Sequence, residues 1–142
     1  MTQTFVSGGE ADTASVGRAL AERLGPGAVV LLTGELGAGK TAFVRGLAEG
    51  LGASPDEVSS PTFTLVQEYR GRVVLHHVDL YRITDAEADD LGLDELMGQG
   101  VVAIEWAEKL CRPPVGAIRV AIEDLGGDSR RLTIRQDPPD AR

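Results

Sequence analysis

The chain has no asparagine at all, and only two lysines, Lys40 and Lys109, among its 142 residues. Without asparagine there is no Asn-Lys-x-Asp motif, so the guanine reading used by most GTPases is excluded. A single cysteine, Cys111, rules out an internal disulfide and fits a reducing cytoplasm. No catalytic context surrounds it, and it reads as a packing residue. No apolar run approaches the roughly 20 residues that span a bilayer. Met1-Thr2-Gln3-Thr4-Phe5 has neither the basic nor the apolar region of a signal peptide. Positive charge is also scarce. Against 22 Asp and Glu there are 14 Lys and Arg, a net charge of −8. Nucleic-acid phosphates are repelled by such a mean field, which argues against a broad direct grip on DNA or RNA.

What remains is the composition of a soluble globular protein, 42% hydrophobic and 25% charged, at a length that suits one domain. One of the two lysines closes a motif. Gly34-Glu35-Leu36-Gly37-Ala38-Gly39-Lys40-Thr41 matches the phosphate-loop pattern G-x-x-x-x-G-K-[ST] in full. It follows the apolar run Ala28 to Thr33 and precedes a helical pattern, the context the motif requires. The glycines let the backbone curl so that successive N–H groups point at phosphate oxygens. Lys40 is placed to bridge the β- and γ-phosphates, and the Thr41 hydroxyl to ligate Mg²⁺. The helix that follows aims its positive dipole end at the same anion. A chance match in so short a chain is on the order of one in a few hundred. The motif therefore reads as a nucleoside triphosphate site.

Along the chain, Val16, Leu20 and Leu24 recur at helical spacing and Gly25-Pro26 stops that helix. From Lys40 a second helix carries Phe43, Val44, Leu47 and Leu51 on one face. Phe63 to Tyr69 and Val73 to Leu80 form β-rich runs around Arg70-Gly71-Arg72, Val101 to Glu105 is an apolar strand, and Ala117 to Glu123 pairs with Arg131 to Arg135 around Gly126-Gly127-Asp128. Asp85 to Met97 is a short acidic helical stretch, and the tail from Asp137 is expected to fray. The count is about six strands and three or four helices. It predicts a three-layer α/β domain of the P-loop NTPase type, residues 1–142, whose mixed sheet contains β-hairpins. The phosphate loop should lie at the C-terminal edge of the first strand.

Hydrolysis or transfer needs a metal carboxylate and a group that orients the attacker. Asp79 and Glu105 end apolar strands at the edge that faces bound phosphates, and either suits Mg²⁺ or the attacking water. The alternative for each is a strand-end acid facing solvent. His76 and His77 fall on opposite faces of their strand and read as packed, hydrogen-bonded residues rather than zinc ligands. Ser59-Ser60-Pro61-Thr62 occupies the place of a switch loop, though spacing alone favours a strand lead-in. Alternation puts Trp106 on the face opposite Glu105, towards the core. Asp85, Glu87, Asp89, Asp90, Asp94 and Glu95 read as a solvated helix face. Asp89-Asp90-Leu91-Gly92 fits D-x-x-G but follows no apolar strand.

From about Glu10 to Thr133 the chain resembles the TsaE family, the small ATPases of bacterial tRNA threonylcarbamoyladenosine biosynthesis. The resemblance rests on the phosphate loop, Ser60-Pro61-Thr62-Phe63-Thr64-Leu65-Val66, His77-Val78-Asp79-Leu80-Tyr81-Arg82 and Ile104-Glu105-Trp106, in that order. The last three, at these spacings, are specific to the family. A helix from near Thr13 through Gly17 is also similar to the family's N-terminal segment. The resemblance implies ATP and Mg²⁺ as cofactors, with Thr41 and Glu105 holding the metal and Asp79 as a further acid of the hydrolytic site. It implies that Thr62 belongs to a nucleotide-responsive loop, that Trp106 matters beside the metal, and that Thr13 lies near the base. Arg130 or Arg131 stands where some members use basic residues. The implied partner is the TsaD–TsaB heterodimer, which modifies the adenosine beside the anticodon and is reset by ATP hydrolysis. On that reading tRNA is engaged only through the complex, with no DNA or membrane partner. This chain departs from the pattern at His76-His77-Val78, where an aromatic is common, and at Ala107, where proline is common. Two other readings stay open: a small-molecule or nucleotide kinase, and a nucleotide-sensing subunit with negligible turnover.

Overall fold

The computed structural model describes residues 2–34, 39–53, 66–81, 84, 86–87, 93–107, 110, 114 and 116–137. Its centre is built from runs that are apolar without alternation. β2 (Val29–Thr33) and β5 (Val101–Glu105) pair in parallel, from Val29 opposite Val102 to Leu32 opposite Glu105. Strands covered on both faces need apolar side chains on both, which explains the unbroken runs. β4 (Leu75–Asp79) lies parallel on the far side of β5 and brings Asp79 level with Glu105. β6 (Ile118–Gly126) lies parallel to β2 on its other side.

Antiparallel strands complete both flanks. β3 (Val66–Tyr69) folds back on β4, and β7 (Ser129–Gln136) forms a hairpin with β6 through Gly127-Asp128. Positive φ at Gly126 and Gly127, 107° and 54°, closes that tight turn. β1 (Thr2–Ser7) then pairs with β7, giving the order β1-β7-β6-β2-β5-β4-β3. The expectation of about six strands thus misses one. β1 has its first five residues exposed, so no buried face marks it in the sequence. Because β1 precedes it, the strand that leads into the phosphate loop is the second, and it occupies the middle of the sheet.

Helices cover the two faces. α1 (Glu10–Ala21) and α2 (Lys40–Gly50) pack together on one, burying Leu20, Phe43, Val44, Leu47 and Leu51 against Val30, Leu32, Ala103, Val120 and Leu132. Each large side chain so buried contributes about 1.5–3 kcal/mol. Two glycines permit the close approach. A Cβ on Gly46 would meet the Ala14 carbonyl oxygen at 1.9 Å, and one on Gly17 would meet that of Phe43 at 2.4 Å. α1 stops at Ala21, ahead of the expected Gly25-Pro26, and Leu24 turns back into the core with its N–H on the Ala21 carbonyl. On the opposite face α3 (Leu93–Gln99) lays Leu93, Leu96 and Met97 over Val29, Leu31, Val102 and Ile104. The result is the three-layer P-loop arrangement. Among the described residues no helix is long and apolar enough to cross a membrane. Of the acidic stretch, Glu87 and Glu95 are exposed; Asp85, Asp89 and Asp90 lie outside the described residues, as does Cys111. Asp137, expected to fray, is held. Its N–H reaches the Ala117 carbonyl at 2.8 Å and its carboxylate takes both bonds of Arg119 Nε.

Candidate functional site

Side-chain alternation decides what gathers at the C-terminal edge of the sheet. Along β4 and β5, Leu75, Val101 and Ala103 face α1 and α2, so His77, Asp79 and Glu105 face that side too. α2 begins there, directly below the ends of β2 and β5. Its N-cap is Gly39 in the left-handed region, with φ 108°, and among the described residues no side chain caps the first turn. No acid stands in that turn, so the helix dipole presents positive potential to whatever occupies the crevice. The Gly39 φ is one that glycine tolerates and other residues resist.

Lys40 lies almost entirely inside, 6% exposed, and turns back towards Gly34. Its Nζ donates to the Gly34 carbonyl at 3.0 Å and stands 3.5 Å from Glu105 Oε1. The Trp106 ring centroid is 5.0 Å from the same nitrogen, a cation–π distance. Glu105, 4% exposed, divides its oxygens: Oε2 meets His77 Nε2 at 2.5 Å while Oε1 faces Lys40. Burial alone pushes its carboxyl pKa up. The hydrogen bond and charge of His77, then those of Lys40, outweigh burial, and the pKa falls below the ordinary value. The site therefore holds a buried, ionised carboxylate facing a buried ammonium.

The backbone at Trp106 adds something that alternation does not foresee. Its φ is +64°, and no other described non-glycine residue has a positive φ. The ring still packs against the Val29, Leu31 and Ile104 cluster on the face opposite Glu105, as alternation expects, but the twist also brings it within reach of Lys40. The ring is half-buried and stacks at 4.8 Å on Tyr81. The chain thus keeps, beside a buried ion pair, a conformation that disfavours bulky side chains. Asp79 is half-buried, and its Oδ1 accepts the Tyr81 N–H at 3.0 Å.

The family model described as threonylcarbamoyl adenosine biosynthesis protein TsaE matches residues 7–132. The chain belongs to the TsaE family. It is 44% identical over 125 residues to the TsaE protein of Bacillus subtilis, covering 86% of this chain and 78% of that one. To the TsaE protein of Treponema pallidum it is 42% identical over 132 residues, 91% of this chain and 97% of the other. The crystal structure of Bacillus subtilis YdiB superposes with a TM-score of 0.74 at 34% identity, over 94% of this chain and 84% of that one.

On this TsaE fold the sequence-derived residues separate cleanly. Lys40, Glu105 and Trp106 come together, Asp79 stands in register beside Glu105, and Thr41 follows Lys40 in the first turn of α2. Thr13, 1% exposed, bonds through Oγ1 to Ser7 Oγ at 2.8 Å and sets its methyl 3.8 Å from where a Gly39 Cβ would be. It is a neighbour of the loop's end. Arg130 is bound to Asp124 and to the carbonyls of Gly127 and Ser129. Arg131 lies 3.8 Å from Glu123. Glu35, Leu36, Gly37, Ala38 and Thr62 lie outside the described residues.

Two contributors were not assigned a role by sequence reasoning. His77 is buried and hydrogen-bonded, as expected, and the partner that sequence reasoning did not name is Glu105. A strand places residues i and i+2 on one face, so its position two before Asp79 was a usable signal. Tyr81, exposed past the end of β4, gives no sequence signal for its stack on Trp106.

Proposed function

We propose that this chain is a Mg²⁺-dependent ATPase that supports turnover of the TsaD–TsaB heterodimer in threonylcarbamoylation of tRNA. The observation that carries the reading is the buried Lys40–Glu105 pair at the uncapped start of α2, behind a complete phosphate-loop motif. A triphosphate fits there because the helix start offers its backbone N–H groups and dipole, and Lys40 offers a cation held by a contact it can exchange. The ammonium, now on Gly34 O and Glu105, turns to the phosphates and leaves the carboxylate facing the crevice. A hydroxyl and two carboxylates make a hard-oxygen donor set, which suits Mg²⁺ rather than a softer metal. Thr41 and Glu105 would hold that ion, and Asp79 is the further acid at the same edge. Bound there, Mg²⁺ supplies charge neutralisation for the transferring phosphoryl group.

The names of the relatives support the pathway, each being called a tRNA threonylcarbamoyladenosine biosynthesis protein. The net charge of −8 supports a subunit that leaves tRNA to its partners. Phosphate release from Mg-ATP, measured with and without the heterodimer, tests the proposal. Release is expected to be slow alone, to rise with partners, and to fall by two orders of magnitude or more in Lys40→Ala, roughly the scale of losing a central charge contact in a phosphoryl transfer site. A phosphorylated small molecule would instead identify a kinase. Tight binding with no release in any mixture would identify a sensor.

A further inference from the structure

His77 is the fully buried partner of Glu105, and its other ring nitrogen, Nδ1, has no hydrogen-bond partner among the described residues. That combination fixes its role. Opposite the Glu105 carboxylate, which only accepts, Nε2 donates, and that bond sets the orientation of the ring. The bond runs diagonally across the sheet, from β4 to β5, because His77 is level with Ala103, two residues before Glu105. It therefore pins one oxygen, Oε2, to the rigid centre of the sheet. Among the described residues the other, Oε1, is held only by the longer contact to Lys40, at 3.5 Å.

We propose that His77 is a positioning residue: it anchors Glu105 by Oε2, so that Oε1 alone is exchanged from Lys40 to the metal shell when nucleotide enters. The inference rests on the nucleotide site proposed above. Without the anchor, a carboxylate released by Lys40 is free to rotate, and its metal-facing oxygen is no longer fixed. Partners that orient a metal ligand in this way commonly matter to affinity almost as much as the ligand itself. Binding of the phosphates, which uses Lys40 and backbone N–H groups, does not involve His77.

The test is calorimetric binding of a non-hydrolysable ATP analogue to the full chain, in EDTA and across a Mg²⁺ titration, for wild type, His77→Leu and His77→Gln. His77→Leu is expected to keep the metal-free affinity and to raise the Mg²⁺ half-saturation roughly tenfold or more. In turnover it should lower kcat with little change in KM. Glutamine, which keeps an amide donor near the Nε2 position, should recover most of the loss. If His77→Leu does not fold, His77→Asn replaces it, since that shorter side chain keeps polarity but does not reach Glu105. In a Glu105→Gln background, removing His77 should change the Mg²⁺ response no further. An unchanged Mg²⁺ half-saturation in His77→Leu, or independent losses in the double variant, would overturn the proposal. If wild type binds no analogue in either condition, the nucleotide reading fails, and the anchoring proposal falls with it. If wild type binds and only the Mg²⁺ response ignores His77, the nucleotide reading stands and the anchor alone is lost.

Discussion

Lys40 and Glu105 are each among the most buried charged groups of the described chain, and neither is stable there alone. Their pairing has a consequence for acid stability. Glu105 has a lower pKa folded than unfolded, because His77 and Lys40 together overcome burial. A carboxyl shifted in that direction stabilises the fold above its unfolded pKa, and the contribution drains away as pH falls through the folded value. Thermal midpoints should accordingly hold near neutrality and fall once the pH drops below about 4. Glu105→Gln should flatten that acid limb, and an unaltered limb in this variant would assign it to other carboxylates. Residue identity at the site was legible for physical reasons: a phosphate loop needs glycines and a lysine at fixed spacing, and acids at strand ends face the crevice. The reach of Trp106 to Lys40 was not: alternation gives its packing on the opposite face, but the chain leaves strand geometry at φ +64° and no local pattern announces that.

The contact between α1 and α2 is the element-scale counterpart of that precision. Alanine has the better helix propensity, worth up to about 1 kcal/mol over glycine. At Gly46 a clash outweighs it, since the new methyl would sit 1.9 Å from a backbone oxygen that a side-chain rotation does not move. Gly46→Ala should cost roughly 2 kcal/mol or more, read as a lower urea midpoint with an unchanged slope. A variant within about 0.5 kcal/mol of wild type would mean that the helices separate easily. Elements differed in how openly the sequence declared them. β2 and β5 are buried on both faces and so read as continuous apolar runs, and β5 falls where expected, Val101–Glu105. β1 declares itself only by pairing with β7, from Thr2 opposite Arg135 to Ser7 opposite Arg130, a relation that no local pattern contains.

For the molecule as a whole, the class of fold followed from a strand, a loop and a helix in the right order, but the strand order did not. β6 inserts beside β2 although β3, β4 and β5 all come between them in the chain, and the sequence carries no mark of that neighbour. What the assembled molecule gains is a junction at which α2, β4 and β5 all end or begin. Trp106, the sole tryptophan of the chain, sits at that junction with an ammonium near its ring face. The protein thus carries its own optical gauge, free of any background from a second indole. When Lys40 leaves for a phosphate, the charge beside the indole goes with it, and intrinsic emission excited near the red edge should change in intensity or colour on adding Mg-ATP. The same addition to Lys40→Ala should leave the spectrum still. A wild-type spectrum indifferent to saturating nucleotide would mean that the lysine never leaves its resting contact.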